Sequence, residues 1–242
     1  PLPHHLPPGT MLLGRYLIGR VLGEGGFGIT YIGLDLRLEL RVAIKEYFPT
    51  DRVTRMSQVS LRVTQLMGAE DDGFQRGKER FLYEARTLAR MEKQPEIVTV
   101  RDYFEENGTA YIVMEYVEGT TFKSWVKQNG GRIPPEELFS TIEPLFGALD
   151  AVHRSGLIHR DISPDNLMLE NGMVRLLDFG CARESAGGTK TMTVALKHGF
   201  APVEQYQYKG QGPWTDVYSL AATIYYCLTG ETPPQALDRM CE

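Results

Sequence analysis

The sequence predicts an α+β chain in two parts, a small antiparallel sheet with one helix followed by a mostly helical half, with the break near Gly119. Three observations predict it. Short apolar runs separated by glycine turns fill residues 16–117, as in hairpin sheets. Beyond the break, Leu138, Ile142, Leu145, Leu149 and Val152 recur at spacings of four and three, the stripe of an amphipathic helix. Two polar clusters, at 159–166 and 176–180, interrupt apolar segments where a core would otherwise continue.

Residues 1–10 are a proline-rich leader, held by contact or left loose. Tyr16 to Asp35 reads as a hairpin whose tip is GEGGFG, and RVAIKEYF (Arg41 to Phe48) as a third strand. Residues 49–77 lack periodicity and read as a loop-rich insertion. A helix is expected over 77–93, with Phe81, Leu88 and Met91 on one face. Ile97 to Val117 reads as two strands turning at Asn107-Gly108, a favoured hairpin pair. In the second half, Pro144 interrupts the apolar stripe and predicts a kink. The last helix is expected over Asp216 to Thr229, closed by Gly230.

Composition narrows the function. A net charge of −5 and a sequence pI near 5.6 argue against a nucleic-acid partner, which is usually met by a basic surface. The longest apolar run, Ser219 to Leu228, is far below the roughly 20 residues needed to span a bilayer, so no membrane contact is expected from this segment. Cys181, Cys227 and Cys241 lack zinc-site spacing and fit a reduced, cytoplasmic setting; the start shows no signal-peptide pattern.

Several charges stand where a core is expected. Glu84 shares the helix face of Phe81 and Leu88, and a carboxylate there is costly unless paired or at the edge of the stripe. Strand alternation puts Ala43 and Lys45 on one face and Val42 and Ile44 on the other, which makes Lys45 a candidate partner. GEGGFG (Gly23 to Gly28) has the Gly-x-Gly-x-x-Gly spacing that lets backbone approach a phosphate. It joins two strands rather than a strand and a helix, which counts against a dinucleotide-binding fold. HRDISPDN (His159 to Asn166) and LLDFG (Leu176 to Gly180) bring Asp161, Asp178 and the Asn166 amide oxygen close in sequence. Such oxygens suit Mg²⁺ beside a phosphate, and a further carboxylate can accept a hydroxyl proton. Taken singly, each of these motifs is also compatible with an ordinary polar turn.

Together, and in this order, the motifs resemble those of the eukaryotic-type protein kinases, with details similar to the bacterial, Ser/Thr-specific branch. The likeness runs from residue 14 to about residue 235 and includes the APE-like GFAPVEQY and the DVYSL segment. It implies a bilobal protein-kinase fold, with residues 11–116 as the N-lobe and 117–242 as the C-lobe, and phosphoryl transfer from Mg-ATP to Ser/Thr hydroxyls of proteins. It also implies roles at individual positions. Lys45 would hold the α- and β-phosphates and pair with Glu84; Asp161 would orient the acceptor hydroxyl; Asn166 and Asp178 would bind Mg²⁺. Gly23, Gly25 and Gly28 would cover the phosphates, with Phe27 at the tip excluding water. Met114 would stand beside the adenine, which backbone groups from Glu115 to Val117 would bind; Leu22, Thr30, Ala43 and Met168 complete the ATP-binding set. Asp216 would cap the last helix and steady the HRD loop.

The sequence also departs from the family pattern. Ser163 stands where the resemblance implies a lysine contacting the transferred phosphate, and Lys197 is a candidate to supply that charge. Thr30 replaces a usual valine. Thr191 and Thr193 are candidate phosphosites whose phosphate could pair with Arg160, and Cys181 reads as an inert small apolar residue. After Gly230 only ETPPQALDRMCE follows, so the terminal C-lobe helices are expected to be missing, and Glu204 lacks the arginine partner implied there. The parent chain could be membrane-anchored. Alternatives to protein kinase activity are a nucleotide-binding scaffold without catalysis and a small-molecule kinase; the long segment between DFG and APVEQ favours a protein acceptor.

Overall fold

The computed structural model describes residues 2–56, 59–66, 71–91, 93–179, 196–207 and 210–240. Its first half is built on a six-stranded antiparallel sheet in the order β1-β2-β3-β4-β8-β7. The strands are β1 (Met11–Leu12), β2 (Tyr16–Gly25), β3 (Gly28–Asp35), β4 (Leu40–Tyr47), and, after the ribbon β5 (Val53–Thr54) and β6 (Thr64–Gln65) and helix α1 (Asp71–Leu88), β7 (Val100–Glu106) and β8 (Thr109–Glu115). In β4, Val42 and Ile44 are buried whereas Ala43 and Lys45 are only partly so, which is the alternation expected of a strand with one face on a core.

Two expectations for this half need correction. The helix runs over Asp71–Leu88 instead of 77–93. Phe74 is buried and extends the apolar stripe two turns below Phe81. Gly77, the expected start of the helix, is a contact point within it, since a Cβ there would meet the Tyr47 hydroxyl. At the other end, Arg90 and Met91 donate to carbonyls three residues back, so the chain leaves the helix through tight turns. The insertion, for its part, contains the β5–β6 ribbon.

The leader is held by contact. Leu6 is buried, Gly9 and Ile18 exchange backbone hydrogen bonds with the segment facing them, and His4 and His5 hold the Glu24 carboxylate at 2.7 and 2.9 Å. Leu2 N donates to His5 Nδ1, so His5 Nε2 carries the proton and donates to Glu24. Beneath the leader lies a buried ion pair. Both Glu46 oxygens accept from the Arg55 guanidinium, and they also accept from the Tyr111 and Tyr31 hydroxyls at 2.8 and 3.0 Å. Arg55 further donates to the His4 carbonyl. Burial, followed by the Glu46 charge, raises both tyrosine pKa values, so these hydroxyls stay protonated donors.

The second half begins with β9 (Thr120–Thr121) and α2 (Phe122–Gln128), which is capped by the Thr121 hydroxyl. α3 (Pro135–Arg154) buries Leu138, Ile142, Leu145, Leu149 and Val152 as the spacing predicts. It runs unbroken through Pro144, which sits on the exposed side, where water can serve the carbonyl that proline leaves without a helix donor. β10 (Leu167–Glu170) and β11 (Met173–Leu176) complete a three-stranded sheet with β9. The short α4 (Val203–Tyr206) precedes α5 (Pro213–Thr229), which starts three residues earlier than expected with proline in its first turn and ends at Gly230, φ 77°. Cys227 is buried in this packing, and burial pushes its thiol pKa up to about 12. Among the described residues no helix is long and apolar enough to cross a membrane.

Removing one partner of a buried, hydrogen-bonded pair strands the other charge. Arg55→Met is therefore expected to cost about 3–5 kcal/mol in equilibrium urea denaturation, with part of the loss recovered by adding Glu46→Gln.

Candidate active site

A cleft of about 770 Å³ opens between the two halves. Its floor is organised from below by Asp216, a fully buried carboxylate in the first turn of α5. One oxygen accepts from His159 N and His153 Nε2, the other from Arg160 N, all at 2.8 Å. Asp216 thus holds the 159–166 loop, although it does not cap α5, whose N-terminal group, Gly212 N, donates to Thr215 Oγ1. With Asp216 in place, Arg160 is held at φ 67°, a left-handed conformation that costs free energy in isolation.

His159 continues the support upward. Its Nε2 donates to the Leu177 carbonyl at 2.8 Å and its Nδ1 accepts from Asp161 N at 3.2 Å, a pattern that defines the neutral tautomer. Its ring packs on Phe179 with centroids 4.6 Å apart. Burial holds the His159 pKa below 6.5, in keeping with these bonds. Asp161 is aimed by Asn166, whose Nδ2 donates to both the Asp161 carbonyl and its Oδ2 at 2.8 Å. That use of the nitrogen leaves the Asn166 Oδ1 available as a ligand atom.

The roof is the β2–β3 hairpin. Register shifts between Ile18, Val21 and Gly23 bend it. A Cβ on Gly28 would lie 2.4 Å from the Glu46 carbonyl, so only glycine lets the hairpin sit this close to β4. Gly23 and Gly25 line the cleft with open space beside them. Thr30 pairs with Lys45 and Ala43 with Met114 across neighbouring strands, and all four face the cleft. Lys45 Nζ donates to the Phe179 carbonyl at 2.9 Å and lies 3.2 Å from Asp178 Oδ1. Asp178 itself sits at φ 44°.

Leu22, Val117 and Met168 also line the cleft. Glu115 reaches it as well, but its carboxylate is occupied by Thr99 N and the Arg175 guanidinium, tying β8 to β11. Glu84 is buried on α1 between Phe81 and Leu88 and is not part of the cleft lining. Sequence reasoning missed Val98, Thr121, Leu177 and Leu196 as wall residues, which as apolar or small side chains carry no signal that separates them from core. It also missed Asp165, although Asp165 belongs to the HRDISPDN motif. Glu204 accepts from the Thr215 hydroxyl at 2.9 Å. Gly180, Cys181, Thr191 and Thr193 lie outside the described residues.

Residues 16–240 match the family described as protein kinase domain. The chain is 32% identical to the serine/threonine-protein kinase PknL of Mycobacterium tuberculosis (strain ATCC 25618 / H37Rv), over 93% of this chain and 51% of that protein. It is also 32% identical to the serine/threonine-protein kinase PrkC of Bacillus subtilis (strain 168), over 93% of this chain and 32% of that protein. It spans about half the length of the PknL relatives. Among solved structures, the apo form of PpkA-294 aligns with a TM-score of 0.82 at 38% identity, covering 99% of this chain and 84% of that one. The PknI kinase domain of M. tuberculosis aligns with a TM-score of 0.69 at 26% identity, covering 96% and 79%.

Because His159 is neutral when folded and gains a proton more readily when unfolded, acid favours the unfolded chain. Below pH 6.5 and down to the lowered folded pKa, wild type is expected to lose stability relative to His159→Gln by up to about 1.4 kcal/mol per pH unit. Paired denaturation curves between pH 7.5 and 5 measure this difference.

Proposed function

The chain belongs to the protein kinase domain family, and from that premise we propose that it transfers the γ-phosphoryl group of Mg-ATP to serine or threonine hydroxyls of proteins. The observation that carries the reading is the convergence of Asp161, Asn166, Asp178 and Lys45 along one cleft beneath a glycine hairpin. The adenine would enter between Ala43, Met114 and Met168, with its phosphates under Gly23, Gly25 and Gly28. Lys45 reaches towards them from β4, and Glu84 of α1 would be its partner.

The residues fit a magnesium ion. Asp178 Oδ1 is a buried carboxylate oxygen that faces the Lys45 ammonium at 3.2 Å, and Asn166 Oδ1 is a second hard oxygen lining the same cleft. When bound with the nucleotide, the ion neutralises phosphate charge. The protein's own work is positioning. Asp161, aimed by the Asn166 amide, takes the proton of the acceptor hydroxyl, while the glycine hairpin excludes water and Lys45 offsets charge on the phosphates it does not transfer. On this reading residues 11–116 and 117–242 form the two lobes, and Thr191 and Thr193 are sites of self-phosphorylation.

The test is transfer of labelled γ-phosphate to the protein itself and to a generic basic protein. Label on serine or threonine is expected, with Asp161→Asn lowering kcat about 10²–10⁴-fold while nucleotide affinity stays within about threefold. Bound Mg-ATP without transfer in wild type would point instead to a nucleotide-binding scaffold.

A further inference from the structure

We propose that Lys197 supplies the cation that stabilises the phosphoryl group during transfer, with Ser163 as its seat. The inference rests on the kinase reading above and adds a catalytic residue drawn from outside the 159–166 loop. Lys197 Nζ donates to Ser163 Oγ at 2.7 Å, and it lies 3.8 Å from Asp161 Oδ1 and 3.9 Å from Asp165 Oδ2. Ser163 is fully buried at the start of the turn that carries Asn166, whose backbone N–H donates to the Ser163 carbonyl. The serine therefore presents a fixed acceptor beside Asp161.

The lysine is anchored from its own side as well. Its carbonyl accepts from Phe200 N and Ala201 N, closing a turn through Gly199 at φ 85°. A Cβ on Gly199 would lie 2.5 Å from the Pro233 carbonyl, so the turn packs against the segment after α5. Gln205 of α4 then donates to the Arg160 carbonyl at 2.9 Å and ties the same stretch to the 159–166 loop. An ordinary surface ion pair has neither a buried hydroxyl seat nor a backbone fixed on both sides.

Charge balance gives the lysine its role. Among the described residues lining the cleft, the cations are Lys45 and Lys197, against the carboxylates Asp161, Asp165 and Asp178 at the floor. Lys45 is at the roof, held by Asp178 and the Phe179 carbonyl. Lys197 is the cation beside Asp161, where the acceptor hydroxyl must stand. In the transfer, the hydroxyl oxygen bonds to the γ-phosphorus as the bond from that phosphorus to the β–γ bridging oxygen breaks. The electron pair leaves with ADP, and the hydroxyl proton passes to Asp161. An ammonium has three donors, and Ser163 takes one, so another can follow the equatorial oxygens of the group in flight.

The experiment compares wild type, Lys197→Ala, and the double variant Lys197→Ala with Ser163→Lys, which returns a cation from the other side of the contact. Steady-state kcat and KM for ATP are measured with a generic basic acceptor, together with nucleotide Kd and the thermal midpoint of each protein. Lys197→Ala is expected to lower kcat about 10²–10³-fold, the range for loss of one transition-state donor, with nucleotide Kd within about threefold. The double variant is expected to regain at least about tenfold, a recovery that a purely structural role would not produce. An unchanged kcat in Lys197→Ala overturns the proposal. So does an increase, which would make the lysine a plug on Asp161, or a failure of Ser163→Lys to restore rate at a matched thermal midpoint. If wild type transfers no more label than Asp161→Asn, the kinase reading itself falls and takes this inference with it.

Discussion

A carboxylate removed from water must find donors, and Asp216 finds them in the backbone of the loop that carries the reactive side chains. His159 N and Arg160 N point at it from one side and His153 from α3 points at it from another. Unpaired, a charge at that depth would cost several kcal/mol; paired, it binds α3, α5 and the 159–166 loop into one rigid block. The rest of the floor follows from this anchor. Arg160 can be held at positive φ, His159 is presented to Leu177 and Asp161, and the Asn166 amide closes the loop on the Asp161 carboxylate.

The roof is held by a different kind of constraint. Its hairpin is glycine-rich at the tip, so the position of that tip depends on what grips it. Gly28 lies against the β4 backbone at one side, and Glu24 is gripped by His4 and His5 of the leader at the other. The leader is in turn tied through its His4 carbonyl to Arg55, and so to the buried Glu46 pair under the sheet. The glycine-rich tip over a charged floor is thus positioned by a chain of polar contacts that reaches into the core. Burial opposes the Glu24 charge, yet the bonds from His5 and His4 outweigh it and hold its pKa below the usual carboxylate range.

Where a site needs a positive charge, the backbone that supplies it is less constrained than the point in space where it must arrive. Ser163 offers a buried hydroxyl at that point, and Lys197 reaches it across the fold from a turn pinned by Gly199 and Gln205. A serine and a distant lysine can together occupy the place of a single long side chain, because electrostatic stabilisation depends on where the charge stands and not on the strand that carries it.

Much of this was legible in the order of residues. Alternation along β4, the stripe of α3, the Asn107-Gly108 turn and the Gly230 helix end are local patterns, and local sterics and burial are enough to specify them. Lys45, Asp161, Asn166 and Asp178 stood out as polar side chains among apolar segments, but each motif alone also fits a polar turn, and it was the order of the whole motif set that singled them out. The start of α1 was misread because residues before Gly77 show little periodicity, and only the tertiary packing shows Phe74 buried and Gly77 set against the Tyr47 hydroxyl. The apolar wall at Val98 and Leu177 was silent because a side chain facing a cleft and one facing the core are chemically alike. Local patterns along the chain specify the longer strands and helices and mark the groups that could react. Packing alone sets how Asp216 reaches the 159–166 loop and how Lys197 comes to rest on Ser163, because those contacts join residues 56, 57 and 34 positions apart, and no local rule spans such a distance.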